Sequence, residues 1–165
     1  MKIKLPYFGN VTIDKNLVEQ DYQVYEKFND SLIEFNLTYE TENLNQSDLS
    51  IVKDFLDNLE KHMLNAKDNI INNYNTNSEI QEFIKMHIDA LTPLAKEVLN
   101  EIIPKDTLLE NYFLEDLELV QIYIFADDQD EFVKFIYEIS EEITDEKLFV
   151  RLDKNLIIKE IATEY

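Results

Sequence analysis

The densest run of potential ligand side chains in the chain is acidic, Asp127-Asp128-Gln129-Asp130-Glu131. Closely spaced carboxylates are typical of calcium loops, but this run has neither the spacing of an EF-hand loop nor its turn glycine. The sequence therefore predicts a solvated hairpin turn. Weak binding of a divalent cation and contact with a basic protein remain open as functional alternatives.

Two histidines, His62 and His87, are the other candidates for metal or acid-base chemistry, and they fall on separate predicted helices. A zinc site would need both helices to converge and to add carboxylates such as Glu60 or Glu82. His87 lies on the apolar face of its helix, which is typical of a structural histidine. We therefore expect no metal and no cofactor. A small metal-dependent or carboxylate-based hydrolase that uses His87 is kept as an alternative.

Several catalytic devices are excluded by composition. The chain has 165 residues with one glycine, Gly9, and no cysteine. Phosphate-binding loops, dinucleotide fingerprints and nucleophile elbows need several glycines, and thiol catalysis or a disulfide framework needs cysteine. With 35 acidic residues, some carboxylate pair could meet by chance, so none is singled out as a catalytic pair.

The charge of the chain indicates the kind of partner that it would attract. The formal net charge is −20, and residues 105–165 hold 6 basic and 17 acidic side chains. Such a surface repels nucleic acid, so no nucleic-acid partner is expected. The excess of carboxylates serves either solubility or the attraction of a basic protein.

The N-terminal segment does not resemble a signal peptide, because Pro6, Gly9 and Asn10 interrupt its apolar residues. No stretch of the sequence is long and apolar enough for a membrane span. We expect a cytoplasmic protein without membrane association.

Alternating patterns at the start of the chain predict antiparallel strands. Gly9 is expected in a turn between two short strands, with Tyr7 and Phe8 covering one end of the core. A hairpin is predicted from strands 22–28 and 32–39, joined through a turn at residues 29–30. The second strand buries one face through Ile33, Phe35, Leu37 and Tyr39.

The middle of the chain changes to helical periodicity. A long helix capped by Ser47 is predicted to end near residues 72–75, and Ser78 with Gln81 forms a capping box for the second helix. Thr92 and Pro93 begin a third helix that ends at Pro104.

The last third of the chain returns to strands, predicted at residues 117–125, 132–139, 148–152 and 156–161. Residues 119–125 are apolar on both faces, which is typical of a central strand. Strict alternation places one set of side chains opposite the other. We therefore expect the helices to cover one sheet face and the N-terminal strands or a second subunit to cover the other. The two sets are Leu119, Tyr123 and Phe125 against Val120, Ile122 and Ile124.

Five segments of the sequence together resemble a known family. They are LPYFG, NDSLIEFNLTYE, IVKDFLDNLEK, EFIKMHIDAL and LELVQIYIFADDQDEF. These segments are similar to a bacterial domain-of-unknown-function family, the two-thousand-and-fourth in that series. The resemblance extends over nearly the whole chain and implies no active-site residue.

The sequence thus predicts a single α+β domain over residues 1–165, with antiparallel strands at both ends and a central block of about three helices. The leading functional hypothesis is a non-enzymatic protein-binding module, for example an immunity-type protein that neutralises a basic toxin. A homo-oligomeric structural module, such as a homodimer, is the further alternative. The predicted binding residues are the carboxylates Asp127, Asp128, Asp130 and Glu131 with aromatic anchors at Tyr123, Tyr137 or Tyr165.

Overall fold

The chain begins with two hairpins in the computed structural model, which describes residues 1–140 and 142–164. Strands β1 (Lys2–Leu5) and β2 (Gly9–Thr12) form a small antiparallel sheet of their own. Strands β3 (Glu19–Phe28) and β4 (Ser31–Glu40) form a longer antiparallel pair over their full ten residues. The alternation in the sequence predicted both hairpins.

The turn between β1 and β2 explains the position of the only glycine. Gly9 has φ of 69° and Tyr7 has φ of 66°, a left-handed conformation that is easy for glycine and unusual for other residues. The Tyr7 ring stacks on Phe35 with centroids 5.2 Å apart, and Phe8 meets the same ring edge-on at 6.3 Å. This aromatic packing fixes the hairpin against one end of the core, as the sequence predicts.

The described residues contain five helices, so the expectation of about three was wrong. The predicted first helix is broken at Asn58, whose ψ of 21° leaves the helical range. Asn45 rather than Ser47 caps the first part, in a capping box with Asp48. The eight-residue α5 is too short for its periodicity to stand out in the sequence. The helices are α1 (Gln46–Asp57), α2 (Leu59–Asn73), α3 (Ser78–Ala90), α4 (Pro93–Ile102) and α5 (Leu109–Asp116).

After the helices, the chain forms four more strands that join the earlier hairpin in one six-stranded sheet. These strands are β5 (Glu118–Phe125), β6 (Val133–Glu138), β7 (Lys147–Leu152) and β8 (Ile158–Glu164). Their spatial order is β3-β4-β5-β6-β7-β8, with β4 and β5 parallel and every other neighbouring pair antiparallel. The helical segment therefore connects the only parallel pair of this sheet.

The core lies between this sheet and the helices. The ring of Phe55 in α1 contacts Phe132 and Phe135, and the Tyr137 hydroxyl donates to the Met63 carbonyl oxygen in α2. The β1–β2 hairpin belongs to the same layer as the helices, because its apolar side chains join this core. The expectation that N-terminal strands cover the second sheet face was wrong, since β3 and β4 extend the sheet instead.

A β-bulge in β5 changes which side chains face the core. Leu119 pairs with Tyr137 and Gln121 pairs with Ile136, so Val120 is the extra residue. Leu119 consequently lies on the same face as Ile122, and its predicted position opposite that residue was wrong. Strict alternation fails here because one inserted residue reverses the faces of everything before it.

None of the helices formed by the described residues combines the length and the apolar character required to cross a membrane.

Two substitutions in β4 test the alternation of buried and exposed side chains along this strand. Phe35 is fully buried and packs against three aromatic rings, whereas Leu32 on the opposite face is 62% exposed. We expect Phe35→Ala to lower the free energy of unfolding by about 3–5 kcal/mol, because it leaves a cavity. Leu32→Ala should change it by less than about 1 kcal/mol. Urea denaturation of both variants is the measurement, and equal losses would contradict the assignment of faces.

Candidate binding surface

One complete face of the six-stranded sheet points away from the helices and the β1–β2 hairpin, and we call it the open face. The strand register identifies its members, because residues paired across strands lie on the same side. Its central row is Tyr25, Glu34, Gln121, Ile136, Phe149 and Ala162, and its second row is Gln23, Asn36, Tyr123, Lys134, Arg151 and Glu160. No helix of the described chain packs on this face.

The open face has apolar and aromatic side chains on β5, β6 and β7, although no second layer covers them. Ile136 is fully buried, and its neighbours in the central row include Phe149 and Gln121. Tyr123 and Phe125 lie side by side on β5, with ring centroids 6.3 Å apart and ring planes 9° from parallel. Tyr25 at the edge strand is 55% exposed. The sheet therefore presents an aromatic strip that is only partly shielded from solvent.

The charged residues of the open face divide it into two parts. The first part, on β6, β7 and β8, is the paired half, since each of its carboxylates meets a cation. The ion pairs are Lys134–Glu164, Lys147–Glu138 and Arg151–Glu160.

The second part, on β3, β4 and β5, is the anionic half. It carries five acidic side chains and one basic side chain, and three of its carboxylates accept hydrogen bonds from neutral groups. Thr38 donates to Asp21 at 2.7 Å, and Asn43 donates to Glu40 at 2.6 Å. The charged residues of this half are Glu19, Asp21, Lys27, Glu34, Glu40 and Glu118.

Glu34 occupies the middle of the anionic half. Its Oε1 accepts a hydrogen bond from the Asn36 amide at 2.9 Å, and its Oε2 accepts one from the Tyr25 hydroxyl at 3.2 Å. Partial burial raises the pKa of Glu34, but hydrogen bonds from Asn36, Gln23, Tyr25 and Gln121 outweigh that effect and hold the pKa below its ordinary value. Glu34 is thus kept ionised by neutral donors alone.

The predicted acidic run forms the turn between β5 and β6, next to the anionic half. Two of its carboxylates are used in the fold: Asp127 accepts from the Glu40 backbone N–H at 3.3 Å, and Asp128 accepts from two backbone N–H groups of the turn. Asp130 is exposed and Glu131 half-buried, and in the described chain neither carboxylate has a hydrogen bond or an ion pair. These two carboxylates have no structural role that a partner would have to displace.

The predicted aromatic anchors have different positions. Tyr123 lies half-buried on the open face, where burial and then the charges of Glu34 and Glu164 raise the pKa of its phenol. Tyr137 is only 1% exposed and faces the core, so its prediction as a surface anchor was wrong. Alternation alone could not decide which face of β6 is buried. Tyr165 lies outside the described residues.

His87 is inside the protein and is not on a surface accessible to a substrate. It is fully buried in α3, with Nδ1 2.8 Å from the Phe83 carbonyl oxygen and Nε2 without a partner among the described residues. Burial lowers the pKa of this imidazole, while the bond to Phe83 and the charge of Glu146 act in the opposite direction. His87 is consequently a neutral core residue near neutral pH.

The second histidine has a different environment. His62 in α2 stacks on Phe55 at 5.2 Å and lines a shallow cleft of about 330 Å³ together with Asp54 and Lys61. Burial, followed by the charge of Lys61, lowers the pKa of His62. Within the described part of the chain, no group of three or more histidine or acidic side chains is arranged to hold a metal ion.

A larger cleft of about 590 Å³ lies at the opposite end of β5 from the acidic turn. Its lining combines apolar side chains such as Phe28, Ile33 and Met63 with four acidic residues: Glu60, Glu115, Asp116 and Glu118. Lys67 also lines it, but its ammonium donates to the carbonyl oxygens of Glu115 and Leu117 at the end of α5. Neither histidine lines this cleft, and the sequence analysis gave no indication of it.

Comparison with protein-family models, curated proteins and solved structures gives no match for this chain. The resemblance to the domain-of-unknown-function family therefore stays a prediction.

Two substitutions in the acidic turn test which carboxylates stabilise the fold: Asp128 accepts backbone hydrogen bonds, and Asp130 accepts none within the described chain. Asp128→Ala removes the acceptor of two backbone N–H groups, and we expect the free energy of unfolding to fall by about 1–2 kcal/mol. Asp130→Ala removes the same charge without a hydrogen bond and should change it by less than about 0.5 kcal/mol. Urea denaturation distinguishes them. A larger loss for Asp130→Ala would contradict this division of roles.

The buried imidazole of His87 generates a prediction for pH. Its pKa is lowered in the folded protein, so the unfolded chain binds more protons once the pH falls below about 6.5. Stability from the neutral imidazole is therefore present above that pH and is lost on acidification. Compared with wild type, His87→Leu should be relatively more stable at about pH 5.5 than at about pH 7. Urea denaturation at both values measures the difference, and a difference independent of pH would contradict the prediction.

Proposed function

We propose that the protein is a non-enzymatic binding module whose acidic surface recognises a basic protein. The observation that carries the proposal is the open face, an entire sheet surface with an aromatic strip and an excess of carboxylates on one half. An immunity-type protein that neutralises a basic toxin is one form of such a module.

The distribution of charge supports a partner of opposite sign. Asp130 and Glu131 lie without internal partners among the described residues in the turn next to the anionic half, and a field of this kind accelerates the approach of a basic protein. Carboxylates alone give little affinity after solvent screening, so the partly exposed aromatic rings of Tyr25 and Tyr123 would supply the lasting contacts.

A homo-oligomeric module is the second candidate, and the exposure of Leu32 and Tyr25 on the open face is the observation in its favour. The net charge of −20 acts against it, because two identical anionic surfaces repel each other. The basic partner is therefore the function that the geometry favours.

The proposal is tested by retention of basic proteins on immobilised protein at low and moderate salt, followed by binding kinetics with each purified candidate. Asp130→Asn with Glu131→Gln should slow association several-fold and weaken its salt dependence, while dissociation changes less. Glu97→Gln with Glu101→Gln is the matched control, since it removes two exposed carboxylates from α4 and changes the net charge by the same amount. The proposal fails if no basic protein binds directly, or if the turn variant associates as fast as the control.

A further inference from the structure

The two halves of the open face contain similar groups, but the ion pairs among the described residues of this face all lie on one half. In the paired half, the Lys134 ammonium is 4.4 Å from the centre of the Phe149 ring and pairs with the Glu164 carboxylate. A carboxylate and an aromatic ring together hold an alkylammonium group there. This arrangement stabilises a cation through charge and through the face of the ring.

The anionic half also places a carboxylate next to aromatic residues, but without a cation paired to it. The carboxylate of Glu34 accepts a hydrogen bond from the Tyr25 hydroxyl, and its charge acts on the phenol of Tyr123 on the neighbouring strand. Its other hydrogen bond comes from the neutral amide of Asn36. No cationic side chain of the described chain pairs with Glu34.

We propose that Glu34, between Tyr25 and Tyr123, is the docking point for an arginine or lysine side chain of a basic protein that covers the anionic half of the open face. This inference rests on the proposed function and identifies its central contact. The planar guanidinium of arginine fits best, because it can bind a carboxylate through two N–H groups and stack on a tyrosine ring at the same time.

The neutral donors give Glu34 the properties that such a site requires. They hold the carboxylate in a defined orientation, so little side-chain entropy is lost when the cation binds. These donors also keep the Glu34 carboxylate ionised, and because they are uncharged they do not cancel its negative charge. The acidic turn adjoins the end of β4, since Asp127 accepts from the backbone N–H of Glu40. The turn therefore adds negative charge at the edge of the anionic half.

A titration with a defined probe tests the docking point without a known partner. The probe is Nα-acetyl-arginine methylamide, with the neutral citrulline analogue as its control, monitored by amide and side-chain NMR shifts of the full chain. We expect the largest changes on β3, β4 and β5 around Glu34, and none with citrulline. Glu34→Gln should weaken binding of the arginine probe by about 5- to 10-fold.

Glu160→Gln is the matched control, because it removes the same charge from the paired half of the same face. It should leave the affinity of the probe at Glu34 unchanged within about twofold. Equal losses in the two variants, or shift changes spread over all surface carboxylates, would overturn the proposal. A dilution series without the probe is run in parallel, and concentration-dependent shifts on the open face would assign that face to a second copy and also overturn it.

The result is separable from the test of the proposed function. If the arginine probe binds at Glu34 while no basic protein binds, the docking point stands and the proposed function fails. If a basic protein binds and Glu34→Gln leaves its dissociation constant unchanged, the function stands and this inference fails.

Discussion

The structure depends on the parallel pairing of β4 with β5. The register from Glu34–Gln121 to Thr38–Phe125 joins two segments that are more than 80 residues apart in sequence, and it places the N-terminal hairpin and the C-terminal meander in one sheet. A parallel connection needs a crossover, and here that crossover contains all five described helices. Because the crossover covers one face, the other face of the sheet is left open.

This topology explains why the buried and polar groups are arranged as they are. The core face of β4 is uniformly apolar, while its other face carries Glu34, Asn36 and Thr38. Glu34 and Thr38 bond to Tyr25 and Asp21 on β3, and Asn36 donates to Glu34 within β4. Polar side chains on an uncovered sheet face satisfy one another across the strands. In β6 to β8 they do so as ion pairs, and in β3 to β5 through neutral donors. The two halves differ in net charge because the carboxylates of one half pair with cations, while three carboxylates of the other half bond to neutral groups.

Much of the fold could be predicted from local pattern, and the surface could not. The alternation of Ile33, Phe35, Leu37 and Tyr39 identifies β4 and its buried face without ambiguity. The bulge at Val120 and the break at Asn58 have no clear pattern in the sequence. The predicted orientation of Leu119 and the predicted number of helices were therefore wrong. Local pattern also cannot report the long-range β4–β5 register.

Sequence pattern alone was also insufficient to predict the candidate binding surface. The carboxylates of residues 127–131 were found by composition, but composition does not distinguish Asp128, which holds the turn together, from Asp130, which does not. Glu34 was overlooked because one glutamate in an alternating strand has no distinguishing signal. Glu34 stands out because no cationic side chain of the described residues pairs with it. Only the strand register, which shows which side chains are neighbours, reveals this.

The open face is uncovered in the isolated protein, and two labelling positions can test this directly. Because the chain has no cysteine, Gln23→Cys gives a single labelling position on that face, and Ser50→Cys gives one on an exposed helix surface. Spin labels at both positions can be compared by accessibility to a polar relaxation agent and by pulsed dipolar spectroscopy. We predict that the label at position 23 is as accessible as the label at position 50 and gives no intermolecular dipolar signal. Protection at position 23 together with a defined intermolecular distance would contradict the account, because a second copy would then cover the face.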